Sequence, residues 1–356
     1  MKIQTLVLAA LMALPTMAQA QEKKNTNVPD WLTALASRIE IHGYGQAGYT
    51  WQHGKDGNTN TADVKRVVVW ATARITDRWS FLYMHDFTKK SLEWYTDYRI
   101  SKGKELTVRF GQFKTPYSLE NPISPTKIEV IDCNAQGVLF LAGVAGEPLY
   151  GTHTGRDIGL MAYGDLFNDF LHYEAAVMNG QGINCKDGNN QKDVVLKLEV
   201  KATDELRVVA SGQLGKGHAV AESMYNPAIA EGDNYTRNRW SAGAEWKSGA
   251  KDADYWKTRP TAVHAEVLGG RDGDVNSWGA YVSGSVPVCK ALDVVGSVDY
   301  FNYNTDLEMQ QTNVMVGVQH WFYRGCRVQL QYMHSNPCHM GKASYGRLMT
   351  QVQVSF

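Results

Sequence analysis

Apolar and polar residues alternate with a period of two along most of this chain. "IEIHGYGQAGYTW" sets Ile39, Ile41, Gly43, Gly45, Ala47, Tyr49 and Trp51 on one face and Glu40, His42, Tyr44, Gln46 and Thr50 on the other. "DVVLKLEVKA" opposes Val194, Leu196, Leu198 and Val200 to Lys197, Glu199 and Lys201, and "LDVVGSVDYF" and "RVQLQYMH" repeat the pattern. Successive side chains of a strand point to opposite faces, so this period predicts half-buried β-strands. Helical spacing is nearly absent, with room for a turn or two only at 30–38. Asp, Gly, Asn and Lys mark short turns at 75–79, 101–105, 165–169, 201–205, 287–291 and 323–327. Longer polar stretches fall between them at 53–63, 180–192, 216–236, 269–276, 304–311 and 334–343. The count comes to about sixteen strands, with short and long connections alternating.

That asymmetry favours one all-β architecture. A soluble sandwich has no reason to segregate short turns from long loops, whereas an outer-membrane barrel has short turns on one rim and long loops on the other. The polar face also carries charge in nearly every strand, including Arg66, Arg74, Asp97, Arg99, Arg109, Lys197, Glu199, Arg207 and Glu266. Sixteen strands enclose a water-filled lumen that solvates such groups. Aromatic residues near strand ends on the apolar face, at Tyr49, Trp51, Trp79, Phe81, Trp246 and Phe322, suit interfacial girdles. The expectation is a transmembrane antiparallel β-barrel of about sixteen strands. In a closed sheet the last strand pairs with the first and leaves no free edge. The alternating C-terminal "RLMTQVQVSF" fits this, and its final Phe356 resembles the aromatic signal that barrel-assembly machinery reads in outer-membrane proteins.

Composition adds a destination. "MKIQTLVLAALMALPTMAQA" has the basic start, apolar run and small residues of a secretory signal peptide over 1–20. Residues 21–37 then form a short periplasmic segment before the barrel at 38–356. Lys+Arg and Asp+Glu balance at 36 each over 356 residues, which gives no case for a nucleic-acid partner. No later stretch approaches the roughly 18 apolar residues of a membrane helix; "GVLFLAGVAG" at 137–146 is the longest candidate. Five cysteines, Cys133, Cys185, Cys289, Cys326 and Cys338, are too scattered for a disulfide framework or zinc site. Cys289 and Cys326 fall on turns of one rim, but the two intervening strands put about 10 Å between them. A bridge needs Cα atoms within about 7 Å, so free thiols are expected. The acidic loops at 55–63 and 184–193 lack EF-hand spacing and read as turn chemistry. No metal or cofactor is expected.

Four pieces carry a family resemblance: Gly111-Gln112-Phe113-Lys114, Gly155-Arg156-Asp157-Ile158-Gly159, Asn179-Gly180, and Asn189-Asn190-Gln191-Lys192-Asp193. They resemble the phosphate-selective porin O and P family, in the form common among Bacteroidetes-like bacteria. The resemblance implies a sixteen-stranded homotrimeric barrel in the outer membrane, with the third loop, 115–155, folded into the lumen as a constriction. An apolar stretch such as 137–146 would then pack that loop against the inner wall. It also implies anion selectivity from basic side chains, since an anion that sheds water needs fixed positive charge in its place.

Lys114 and Arg156 flank the loop, Lys127 lies within it and Arg109 lies below it on the preceding strand; these are the expected anion contacts. Arg66, Arg74, Arg99, Lys197 and Arg207 are expected to line the lumen. Family members commonly carry a Glu-Arg pair in this loop, and here Glu129 is followed by Val130. The inward set also has about as many carboxylates as bases. The expected function is therefore passive diffusion of small hydrophilic solutes, with a mild preference for anions.

Two other classes compete with this reading. A barrel enzyme needs a nucleophile beside a base, but His85 and Asp86 fall on opposite strand faces, and His153, His334 and His339 fall in expected external loops without a nucleophile motif. An outer-membrane receptor or adhesin would use the loops at 180–192 and 216–236, whose residues identify no partner. Only residues 21–37 precede the first strand, too few for a plug domain.

Overall fold

The computed structural model describes residues 37–132, 135–151, 153–248 and 259–356. The expected signal peptide and most of the segment at 21–37 lie outside the described residues, as do Cys133 and the stretch 249–258.

Sixteen strands follow in chain order: β1 (Ile39–Gly54), β2 (Thr59–Arg74), β3 (Trp79–Asp86), β4 (Ser91–Arg99), β5 (Thr107–Lys114), β6 (Arg156–Leu166), β7 (Leu171–Met178), β8 (Asp193–Lys201), β9 (Leu206–His218), β10 (Asn234–Lys247), β11 (Ala262–Asp272), β12 (Val275–Cys289), β13 (Leu292–Asn304), β14 (Met309–Tyr323), β15 (Cys326–Cys338) and β16 (Tyr345–Ser355). Each pairs with its sequence neighbours, and β16 pairs antiparallel with β1, so the sheet closes into a barrel. One short helix, α1 (Gln136–Leu141), lies in the connection between β5 and β6.

The period of two sorts each strand's residues between the two sides of the wall. Along β13, Val294 and Val298 are exposed while Val295 and Asp299 are buried. On β16, Val352 and Val354 are exposed while Met349, Gln351 and Gln353 are buried. An exposed aliphatic outer face with a polar, enclosed inner face is the inverse of a water-soluble sandwich and suits lipid outside. Tyr49, Trp51, Trp79, Trp246 and Phe322 are all exposed on that outer face. The seam is closed to its last residue: Phe356 N–H donates to Gly43 O (3.0 Å) and Gly43 N–H to Phe356 O (3.1 Å). A Cβ at Gly43 would come within 2.5 Å of the Phe356 ring, so glycine makes room for it.

Several long loops are shorter than expected. The connection expected over 53–63 is residues 55–58, that over 269–276 is Gly273 and Asp274 alone, that over 304–311 is 305–308, and that over 334–343 is 339–344. The polar residues there extend hairpins instead: Asn336 pairs with Thr312, Ser335 with Asn313 and His334 with Val314. Polarity there marks the point where the outer face leaves the apolar band, not the end of pairing; Ser335 and Asn313 stay buried on the inner side. His334 is accordingly on β15 rather than in a loop. The connections that stay long are 115–155, 179–192 and 219–233. Cys185, Cys289, Cys326 and Cys338 are free; the Cys326 thiol faces Ser355 O at 3.6 Å.

Candidate functional site

Segment 115–155 spends its polar groups on the inner wall. Tyr117 donates to Trp240 O (3.1 Å), and Ser118 N–H and Leu119 N–H donate to Ser211 Oγ (2.9 Å) and Glu266 Oε1 (2.8 Å). Further along, Arg327 donates to Ile128 O (2.9 Å), Gln329 to Glu129 O (3.0 Å), and Ile131 N–H donates to Gln331 Oε1 (2.8 Å). Gln46 of β1 and Gln353 of β16 each reach carbonyls of the same stretch, Pro125 O and Thr126 O at 3.3 Å. Lys65 pairs with Asp132. Val138, Phe140 and Leu141 of α1 cluster with Leu268, Tyr281, Phe301 and Tyr303 of the strands. A buried segment without regular structure must satisfy its carbonyls and N–H groups somewhere, and here inward amides, carboxylates and guanidinia do so.

The ends of the segment are pinned where the family motifs lie. Gly155 has φ +69°, and a Cβ on it would come within 2.0 Å of Asn121 Oδ1. Asn121 in turn donates to Thr115 O (3.0 Å) and Gly155 O (3.1 Å), tying entry and exit together. Asp157 accepts from Gly180 N–H (2.6 Å) and Gly182 N–H (3.1 Å). Asp193 receives Arg237 (2.7 Å) and Gln213 (2.6 Å), and Arg237 also donates to Gly180 O. Motif pieces far apart in sequence thus meet at one mouth of the barrel.

Two cavities flank the segment, and Ile123 lines both. One, of about 340 Å³, presents Arg66, Lys89, Lys114 and Arg156 with Asp86 and Asp132. The other, of about 350 Å³, presents Lys127, Arg207, Lys247, Arg259 and Arg327 with Glu129, Glu245 and Asp293. Bases outnumber carboxylates in each, so both attract anions. Within the segment itself, burial pushes the Glu120 carboxyl well above its usual range. Burial and then nearby Asp272 raise Glu147 to about 8.

The expected anion contacts fall in different places. Lys114 and Arg156 share the first cavity, with Arg66. Lys114 Nζ donates to Asn121 O (2.6 Å) and Ile123 O (3.0 Å), which aims its charge at the segment's turn. Arg156 is held by Glu93 at 2.7 Å. Lys127 is exposed in the second cavity, with Arg207. Arg109 lies apart: it bonds Asp97 through two nitrogens at 2.8 Å each and sits 3.7 Å over the Tyr95 ring, an arrangement that neutralises and immobilises it. Of the other expected lumen residues, Lys197 is buried between Glu174 and Glu199, and Arg207 bridges Glu199 and Glu245. Arg74 and Arg99 are exposed at the ends of β2 and β4.

Sequence reasoning did not single out Lys65 or Arg259, and it placed Arg327 and the glutamines 329, 331 and 353 on the polar face without seeing that they hold segment 115–155. The available signal was the neutral amides repeating at every second position in "QLQ" and "QVQ", because a face that only met water would have no need of such repetition. His153 lies inside segment 115–155 and is buried, which lowers its pKa to about 4. His85 points outward, 3.1 Å from Ser91 Oγ, while Asp86 is buried on the inner side and caps Thr88 N–H (3.0 Å).

Residues 39–200 match the family described as phosphate-selective porin O and P, in agreement with the motif resemblance. No curated protein matches the chain by sequence. Among solved structures, the anion-selective porin from Comamonas acidovorans is similar at TM-score 0.64 and 10% identity, covering 89% of this chain and 99% of its own. OprB of Pseudomonas putida, in a high-pH structure, is similar at TM-score 0.63 and 10% identity, covering 92% and 96%. In-vitro folded OmpT of Vibrio cholerae, in a trimer form, is similar at TM-score 0.60 and 13% identity, covering 89% and 99%. At these identities the likeness is one of fold.

Proposed function

We propose that this chain is an outer-membrane porin that passes small hydrophilic solutes by diffusion and favours anions. The observation that carries the reading is the pair of base-rich cavities meeting at Ile123 inside a closed barrel whose outer face is apolar. Segment 115–155 folds across the lumen and narrows it, and Lys114 and Lys127 supply fixed positive charge on either side of the narrowing; the charge of Arg156 is spent on Glu93. An anion that sheds water there finds ammonium and guanidinium donors; a cation finds the same field against it. Arg109 is left out of this set, because its charge is spent on Asp97. The chain works as a channel, without a catalytic step. It assembles as a homotrimer, a reading that the trimer form of the OmpT relative supports. Phe356, exposed at the seam, is the residue offered to the barrel-assembly machinery.

Planar-bilayer recording under a salt gradient tests this reading. Discrete conductance steps with a reversal potential on the anion side are expected, and added phosphate should reduce chloride current by competing for the same bases. A correctly folded barrel that gives no steps would overturn the pore.

A further inference from the structure

A third cavity, of about 290 Å³, lies against β12 to β16; it shares Asp132 and Leu139 with the first cavity but neither Ile123 nor Lys114. Strand register builds its wall as two rows of inward side chains. One row runs Ser283, Ser297, Met315, Met333, Arg347 across five strands, and the next runs Tyr281, Asp299, Asn313, Ser335, Tyr345. The floor is closed: Ile131 packs on Val295, Met315, Met333 and Met349.

Its polar groups are incompletely used. Ser283 Oγ and Arg347 Nε are buried without a hydrogen-bond partner, and both residues line the cavity. Asp299 takes Gln136 N–H (2.9 Å) and Asn313 (3.2 Å) on one oxygen, Oδ2. Of the remaining charged groups, Asp132 is paired with Lys65, and Glu120 Oε2 accepts from Ala135 N–H (2.9 Å). What faces the space is one carboxylate, Asp299 on β13, opposite two cations, Arg347 on β16 and Lys342 just before it. Three strand spacings, about 14 Å along the wall, separate Asp299 from Arg347. Met315 and Met333 lie between them, apolar and adaptable.

We propose that this cavity is a binding site for a short zwitterionic peptide with apolar side chains. Its ammonium meets Asp299, its carboxylate meets Arg347 and Lys342, its side chains lie on Met315 and Met333, and Ser283 Oγ bonds a peptide group. The proposal rests on the porin reading, since it needs a lumen open to solutes.

Isothermal calorimetry of the full-length folded protein in detergent, titrated with leucyl-leucine, tests it. Saturable one-to-one binding is expected, weakened at least tenfold by Asp299→Asn and by Arg347→Gln and severalfold by Ser283→Ala, the substitution least disruptive to folding. N-acetyl-leucyl-leucine amide, with both charges removed, should not bind. Absence of saturable heat with leucyl-leucine, unchanged affinity in Ser283→Ala and the folded charge variants, or equal binding of the uncharged analogue would each overturn the site. Conductance steps without peptide heat would overturn this site alone; peptide heat without steps would uphold the site and overturn the pore.

Discussion

Gly155 shows how much one position can decide. Its positive φ suits glycine, and the Asn121 amide occupies the space a side chain would need. Gly155→Ala should therefore cost about 1–3 kcal/mol. Because Asn121 ties the segment's two ends, that cost should fall on segment 115–155 before the barrel, seen as larger and noisier conductance with unchanged barrel migration on electrophoresis. Glu147 makes a complementary case. One of its oxygens accepts from Leu149 N–H (2.9 Å), and the other is buried with no partner beside the Asp272 carboxylate. Folding raises its pKa from 4.5 to about 8, so the folded segment holds a proton that a released one gives up. This stabilisation is complete below about pH 4.5 and is lost as pH rises through about 8. Hydrogen exchange around 146–151, corrected for intrinsic rates, should accelerate between about pH 5 and 8 and level off above, and Glu147→Gln should flatten that dependence.

At the scale of elements, strand identity was legible and loop extent was not. Alternation located the strands because lipid on one side and water on the other sort residues at every second position. It failed at the long hairpins, where the outer face turns polar and the apolar signal stops while the ladder continues, as at Asn336 and Thr312. The constriction role expected for segment 115–155 came from the family resemblance, with its length and apolar stretch in keeping. Its seats were hidden, because a glutamine that holds a carbonyl looks in sequence like one that holds water. Arg109 was misleading for a related reason: its partner Asp97 lies on the neighbouring strand, and a strand-by-strand reading does not pair the two. Replacing Gln329 and Gln331 together by leucine would leave Glu129 O without these donors. A buried unsatisfied carbonyl costs about 1–3 kcal/mol, so the segment should detach at this seat and single-channel conductance should rise.

On the scale of the whole molecule, selectivity depends on where charge is left over after pairing. Lys114→Glu and Lys127→Glu should each move the reversal potential toward cations, and together they should reverse the preference. Arg109→Gln should leave the reversal potential near its original value. Its effect should appear in unfolding instead, since Asp97 would lose a bidentate partner and sit inside the wall with its charge uncompensated.

The seats of segment 115–155 also separate two properties that respond differently to the surrounding medium. Attraction between fixed charges and permeating ions weakens with ionic strength, over a Debye length of about 10 Å at 0.1 M and about 3 Å at 1 M. The bonds from Gln46, Gln329, Gln331 and Gln353 join amides to backbone groups and carry no net charge to be screened. In dilute water the barrel would discriminate by charge and by size together. In brine it would keep the same aperture and lose most of its charge preference, acting as a sieve.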